Sequence, residues 1–394
     1  MDNKHLWVAV IAGGQGTRLF PISHTERPKQ FCQLDQNNTF IQAAIQNFTN
    51  LGVKPSQIVI ITTNDNQTKL AKEQTLKRGI LSQNICQINP KLGYAAAMCL
   101  AAKFIIEHDQ EAIIINTPSD QYIAVDDEFA TTIENAVSDA KKGYAVIVGV
   151  KVNDLVTATG CGHALFKEDD ETCHCVTGFI EKPNLKEADK IMRAGNSACN
   201  TGINVWKANA FLKNIDIKNI KGLATDELMD KLGGLKIAVG NFEWHDCGTL
   251  KSLYEISKKT PNHKNASLGA GSFERVNCRR SLLYAAEGME LRVTGARDDA
   301  IIFTTIDEKP IVVVAKLAES QRIKALAEDY ALHEDFLTDD FSFGARNNIV
   351  LSSNISNDLI VGFVGVKNYA VYVHKRPDCT LEAAVSLQLV HDEK

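Results

Sequence analysis

Five residues near the start of the chain have types and spacing suited to one chemistry. Gly13, Gly14, Gly16, Arg18 and Lys29 lie in the stretch IAGGQGTRLFPISHTERPKQF, Ile11–Phe31, directly behind the apolar run Leu6–Ala12. Glycines let backbone N–H groups come close to an anion, and an arginine and a lysine add fixed positive charge. That combination reads as a phosphate cradle. A dinucleotide fingerprint, G-x-G-x-x-G, would need glycine at 19, where Leu19 stands. A P-loop needs a Gly-Lys pair, and the chain has none. A plain glycine turn would leave Arg18 and Lys29 without purpose.

Further along, acids stand where a strand should end. Asp120 follows the apolar segment Ile113–Ile115, which places it at the carboxyl edge of a sheet. Taken alone it could cap a helix. Asp246 stands in a second loop, and two acids beside a phosphate cradle argue for Mg²⁺. Glu181 and Lys182 before Pro183 could be a solvated turn, or a carboxylate for sugar hydroxyls and an ammonium for phosphate. Gly160 and Gly162 could form a hairpin, or let a sugar approach the backbone.

The elements that must position these residues are legible. Leu6–Ala12, Ile58–Ile61, Ile85–Ile88, Ala112–Ile115 and Ala145–Val150 are short Val/Ile-rich runs of the kind buried on both faces of a parallel sheet. Helical patterns over Phe40–Phe48, Asn66–Lys77, Ala95–His108 and Glu128–Lys141 lie between them. The alternation predicts an α/β, doubly wound, mostly parallel sheet, with ligands beyond the carboxyl ends of its strands. A polar, glycine-rich stretch, Ser257–Ser272, reads as a linker. The expected domains are therefore 1–262 and a β-rich 272–394, the latter with one helical stretch at Lys316–Tyr330. Leu291–Phe303 echoes Val361–Val373, with Gly295 over Gly365 and Asn277 over Asn347, as two related β units would. A β-rich tail behind a linker more often mediates assembly or closes a site than performs chemistry, so a homo-oligomer is an expectation.

Composition excludes several classes. The chain has 394 residues, 44% hydrophobic and 23% charged, with net charge −5. Nothing basic argues for nucleic acid, and no apolar stretch is long enough to span a bilayer. The start lacks the pattern of a signal peptide, which makes cytoplasm the expected compartment. The ten cysteines include no CxxC pair and read as buried free thiols. Cys173 and Cys175 flank His174 in TCHCV; on a strand the thiols would share one face, and no further metal ligands stand nearby.

The opening stretch resembles the signature of sugar-1-phosphate nucleotidyltransferases, above all that of mannose-1-phosphate guanylyltransferases, GGxGTRLxPxS followed by PKQF. Every fixed letter is present, from Gly13 to Phe31. TPSDQYI (Thr117–Ile123) is similar to PADHxI, TGCGHA (Thr159–Ala164) to TGYGYI, VTGFIEKP (Val176–Pro183) to VxxFxEKP, CNTGINVW (Cys199–Trp206) to WNSGMFxW, and EWHDCGTLKSLYE (Glu243–Glu255) to DWSDVGSW. The resemblance covers Leu6 to Tyr254. It implies the fold of nucleotide-diphospho-sugar transferases. It also implies Arg18 and Lys29 as catalytic residues, and Ala12, Gly13, Gly14, Gly16, Thr17, Gly93 and Ser119 as nucleotide-binding. Gly162, Glu181, Lys182, Asn200 and Thr201 would bind the sugar phosphate, and Asp120 and Asp246 one Mg²⁺.

The sequence departs from the family where substrate walls are expected. Gly93–Tyr94–Ala95 replaces Arg-Asn-Thr, Cys161 and His163 replace the aromatics of TGYGYI, and Cys199 and Ile203 replace the Trp and Met of WNSGM. Leu250 replaces the last Trp of DWSDVGSW. The expected reaction is transfer of a nucleotidyl group from a nucleoside triphosphate, by resemblance GTP, to a sugar 1-phosphate, by resemblance mannose 1-phosphate. The attacking phosphate is already an anion, so His245 is not needed as a base. Heptose, fucose or glucose types remain as alternative sugars. A non-catalytic nucleotide-sugar-binding relative is disfavoured by the presence of Arg18, Lys29 and both aspartates.

Overall fold

The computed structural model of the chain describes residues 4–14, 16–35, 37–168, 172–214, 234–325, 349–353, 360–364, 369–375 and 380–387. Contacts divide the chain into two units. One comprises Met1–Gly13 and Ile41–Asp246, the other Gly14–Phe40 and Cys247–Lys394. The division is discontinuous, unlike the single cut near 262 expected from composition, because the stretch behind the first strand counts with the later part.

The first unit is built on a nine-stranded sheet. Its strands are β1 (Leu6–Ile11), β2 (Ile58–Thr62), β3 (Ile85–Gln87), β4 (Ile113–Pro118), β6 (Ala145–Val150), β7 (His163–Phe166), β8 (His174–Ile180), β9 (Ser197–Lys207) and β10 (Leu235–Gly240). The order is β3-β2-β1-β4-β9-β6-β10-β8-β7. β1, β2, β3 and β4 pair in parallel, as do β6 and β10, while β9 runs antiparallel between β4 and β6. A separate two-stranded ladder joins β5 (Tyr122–Ile123) to β11 (Trp244–His245).

The parallel strands are mostly apolar because helices cover both faces. β2 and β6 are buried at every position. The helices are α1 (Phe40–Thr49), α2 (Asp65–Thr75), α3 (Tyr94–His108) and α4 (Asp127–Lys141), each within two residues of its sequence-predicted bounds. The small residues of α3, among them Ala97, Ala101 and Ala102, are buried in one core with Trp7, Val59, Ile61 and Ile114. Asn64 and Asp126 cap α2 and α4, their side chains accepting the N–H of Gln67 and Phe129. No helix among the described residues is long and apolar enough to cross a membrane.

The second unit holds two five-stranded sheets. One has the order β12 (Ala266–Leu268), β14 (Leu282–Ala285), β16 (Asp299–Ile306), β17 (Lys309–Lys316), β19 (Ile360–Val364). The other has the order β13 (Ser272–Val276), β15 (Met289–Thr294), β21 (Leu381–Leu387), β20 (Tyr369–Lys375), β18 (Ile349–Ser353). Leu283, Ile301, Phe303 and Val312 from one sheet share a core with Leu291, Val293, Val371 and Val385 from the other.

The two sheets repeat one pattern. A parallel pair, an antiparallel hairpin and a second parallel pair run through β14-β16-β17-β19 and again through β18-β20-β21-β15. The echoed segments carry β15–β16 and β19–β20, which occupy corresponding positions. Gly365 and Asn347 lie outside the described residues.

Three expectations need correction. The polar Ser257–Ser272 stretch is not a plain linker: it contains β12, paired in parallel with β14. The helical stretch begins later than Lys316: Lys316 ends β17, Leu317–Arg322 is a 3₁₀ turn and 323–325 are helical, while 326–330 lie outside the described residues. Cys173 is fully buried just before β8 whereas Cys175 is exposed, so the thiols of TCHCV do not share one environment.

Candidate active site

In the first unit the parallel register sets the ends of β1, β2 and β4 on one edge of the sheet. Ala12 donates its N–H to Ile61 O at 2.8 Å. Gly13 passes so close to Thr63 that a Cβ there would meet Thr63 Cγ2 at 2.5 Å. Thr63 Oγ1 donates to Gly13 O at 3.3 Å. Ser119 is buried, and its hydroxyl donates to Ile11 O at 2.8 Å, tying the end of β4 to the end of β1. Gly93, at φ 84°, opens α3 and is exposed, so the first N–H groups of that helix follow an open glycine.

Asp120 lies between β4 and β5, and Asp246 directly follows β11. The β5–β11 ladder pairs Tyr122 with His245 and Ile123 with Trp244. Two acids far apart in sequence therefore stand at the same end of one ladder. Trp244 Nε1 donates to Gln121 Oε1 and holds the loop between them. Asp246 is exposed and Asp120 half-buried. His245 Nε2 lies 3.2 Å from Glu243 Oε1.

Tyr94 is a residue that sequence reasoning missed. Its hydroxyl donates to Gly202 O at 3.4 Å. Burial and the negative charge of Asp120 push its phenol well above the ordinary tyrosine range. The sequence signal was the departure Gly93–Tyr94–Ala95 itself. Gly202 in turn has φ 77°, and a Cβ there would strike Pro118 Cγ at 2.9 Å.

The residues expected at the sugar phosphate come from three strands. His163 of β7 pairs with Ile180 of β8 and with Cys199 of β9. Gly162, just before His163, and Glu181 and Asn200, just after Ile180 and Cys199, are thereby brought together on one edge. Asn200 donates its N–H to Gly162 O at 2.8 Å, and its Oδ1 accepts the Gly202 N–H at 2.9 Å. A Cβ on Gly162 would meet Glu181 Oε2 at 2.5 Å. Lys182 takes the left-handed conformation, φ 44°, and its Nζ lies 3.4 Å from Glu181 Oε1. Thr201 is buried, and its hydroxyl donates to Val148 O at 2.7 Å, a contact that anchors β9 to β6. Gly160 ends a short helix, α5 (Leu155–Gly160), rather than forming a hairpin.

The second unit carries the rest of the signature. Gln30 Nε2 donates to Gly14 O at 2.9 Å, and the Ser23 hydroxyl donates to Gly16 O. The PKQF segment and Ser23 thus hold the carbonyls of the glycine loop. Gly16 has φ 65°, and a Cβ there would collide with the Lys29 side chain. Thr17 and Arg18 form a 3₁₀ turn with Leu19, with Arg18 exposed. Lys29 is 4% exposed, its ammonium 5.2 Å from the centre of the Phe40 ring.

One cluster was unforeseen. The sulfurs of Cys161 and Cys199 are bonded, which corrects the expectation that every cysteine is a free thiol. The reason is the β7–β9 register, which sequence alone does not disclose.

Residues 8–263 match the family model described as nucleotidyl transferase. The chain belongs to the nucleotidyl transferase family. As a nucleotidyltransferase it is similar to mannose-1-phosphate guanylyltransferase of Sinorhizobium fredii (strain NBRC 101917 / NGR234), 24% identical over 363 residues that cover 81% of this chain and 69% of that protein. The protein of the same name from Escherichia coli (strain K12) is 26% identical over 366 residues, covering 83% and 74%. Among solved structures, one described as mannose-1-phosphate geranyltransferase from Thermus thermophilus superposes with a TM-score of 0.68 at 21% identity. It covers 83% of this nucleotidyltransferase and 99% of its own chain, and shows that the two share a fold.

Proposed function

We propose that this nucleotidyltransferase transfers the guanylyl group of GTP to mannose 1-phosphate, giving GDP-mannose and pyrophosphate. The observation that carries the reading is the β5–β11 ladder, which sets Asp120 and Asp246 together beyond the carboxyl end of β4. The acceptor phosphate already bears the attacking oxygen as an anion. What the chain must supply is alignment and charge compensation. Arg18 would draw charge from the departing pyrophosphate, and Lys29 would steady the transferred group. The backbone of Ala12, Gly13, Gly14 and Gly16 and the start of α3 at Gly93 would face the triphosphate. Lys182 would hold the sugar phosphate, with Glu181, Asn200 and the close backbone at Gly162 on the sugar.

Two loop carboxylates are hard oxygen donors of the kind Mg²⁺ takes alongside phosphate oxygens, and the charge of Asp120 is felt by the Tyr94 phenol. Asp120 and Asp246 would hold that ion, which would lower the repulsion between the two anionic substrates.

The changed residues Cys161, His163 and Cys199 beside the sugar-facing Gly162 and Asn200 support a second reading, the same chemistry on another sugar 1-phosphate. A panel of four nucleoside triphosphates against mannose, glucose, fucose and heptose 1-phosphates, read by pyrophosphate release, tests both. GTP with mannose 1-phosphate should give the highest kcat/KM. A higher value for another pair replaces the substrate assignment, and no release with any pair removes the catalytic reading.

A further inference from the structure

Three departures from the family signature meet in space. Cys161, His163 and Cys199 bring their ligating atoms within 4.8 Å of one another, all buried. His163 and Cys199 are cross-strand partners in the β7–β9 pair, and Cys161 lies two residues before His163 on the same side of the chain. The Cα atoms of the two cysteines are 5.9 Å apart, and their sulfurs are bonded. His163 Nε2 donates to Ala158 O at 2.8 Å and lies 3.6 Å from Cys161 Sγ and 3.7 Å from Cys199 Sγ. We propose that Cys161 and Cys199 are a reversible thiol–disulfide pair that sets the geometry of the sugar-phosphate subsite.

Both sulfurs lie against the edge of a ring whose Nε2–H is already given to Ala158 O. Exchange at such a pair runs through the thiolate, which attacks on oxidation and leaves on reduction. Cys161 is the less buried of the two, 8% exposed against 0% for Cys199, so the first exchange is assigned to Cys161. With a low-molecular-weight disulfide as that oxidant, the Cys161 thiolate attacks one of its sulfurs and expels the first thiolate. The Cys199 thiolate then attacks Cys161 Sγ and expels the second. The two cysteine protons go to the two released thiolates, so two thiols of the protein are oxidised and one small disulfide is reduced to two thiols. Burial pushes the thiols of Cys32, Cys99 and Cys173 up to about 12.

The coupling to substrate runs through Gly162 and Asn200, each adjacent to one of the two cysteines and joined by the Asn200 N–H to Gly162 O bond of 2.8 Å. On reduction the sulfurs must move from bonded to non-bonded contact, roughly 3.5–4 Å. That displacement acts on Gly162, and on Glu181 Oε2 packed against it. This consequence rests on the sugar-phosphate role proposed above, whereas the bond does not.

The test equilibrates the full chain in glutathione disulfide and, separately, in dithiothreitol. Peptide mass mapping reads the bond, and steady-state kinetics read KM for each substrate. In the oxidised protein a Cys161–Cys199 linked peptide should appear, lighter by two hydrogens, and vanish on reduction. KM for the sugar 1-phosphate should differ between the two states by about fivefold, the worth of one hydrogen bond, with KM for the triphosphate unchanged. Cys161→Ser and Cys199→Ala should both abolish the redox response. Absence of the linked peptide overturns the proposal, as does zinc retained stoichiometrically on unreactive thiols. Linkage without a KM change overturns the coupling. Lys182→Ala separates the two readings: if it raises the sugar-phosphate KM while redox state does not, the subsite stands and the coupling to the thiol pair fails.

Discussion

Tyr122 and His245 are partners across a two-stranded antiparallel ladder, and their pairing places Asp120 and Asp246 at one end of it. Neither acid gains this neighbour from its own loop. Removing either charge while keeping shape therefore separates a shared ion from two local structural roles.

Asp120→Asn and Asp246→Asn should each stay folded, lose most turnover and need more Mg²⁺ to recover part of it. Because both would serve one ion, the double variant should be little worse than the worse single. Rate measured against Mg²⁺ concentration decides this. Two additive losses with unchanged metal dependence would mean the acids act separately.

Lys29→Ala should lower kcat by ~10²–10³, the usual cost of one lost contact to developing charge. Nucleotide binding should change less, since the ammonium matters most as the α-phosphorus becomes five-coordinate. Single-turnover rates and nucleotide titration measure the two effects apart. Near-normal turnover would remove Lys29 from the reaction.

Lys182 is a left-handed residue with a side chain, φ 44°. Lys182→Ala should raise KM for the sugar 1-phosphate far more than that for the triphosphate. Lys182→Gly should do the same and yet stabilise the fold by up to about 1 kcal/mol, because glycine carries no Cβ penalty there. Kinetics combined with denaturant unfolding test the opposition; equal shifts in both KM values would assign Lys182 elsewhere.

Gly162→Ala inserts a Cβ where Glu181 Oε2 lies 2.5 Å away. Glu181 must move, so KM for the sugar 1-phosphate should rise while the melting temperature changes little, as Glu181 is exposed. A normal KM would show that the Glu181 position is not used.

His24 is held neutral. Burial, then the Arg27 guanidinium, lower its pKa from 6.5 to about 4, with Asp307 opposing. The unfolded chain binds this proton below pH 6.5 and the folded chain only near pH 4, so stability is retained above pH 6.5 and lost as pH falls toward 4. Between pH 7 and 5 the loss, reduced by solvent screening of the partly exposed ring, is on the order of 1 kcal/mol. Urea unfolding should show that loss in the wild-type chain and a smaller one in His24→Gln. An equal loss in both would place the acid sensitivity in other groups.

Much of this protein was readable along the chain. Apolar runs bounded by turns marked β1, β2, β4 and β6, and the spacing from Gly13 to Phe31 marked a candidate phosphate loop, because periodicity and glycine chemistry are local. Local signals could also name Asp120 and Asp246 as acids in loops. They could not show that the two stand together, since that depends on the Tyr122–His245 register. Likewise, Cys161 and Cys199 looked like isolated changes until β7 and β9 paired. Tyr94 looked like a lost arginine–asparagine–threonine loop until its hydroxyl met Gly202 O. Pairing between distant strands is settled by the packing of the whole sheet. What the sequence by itself determined was therefore the element types and the chemistry of each motif, and only the tertiary structure decided which motifs meet.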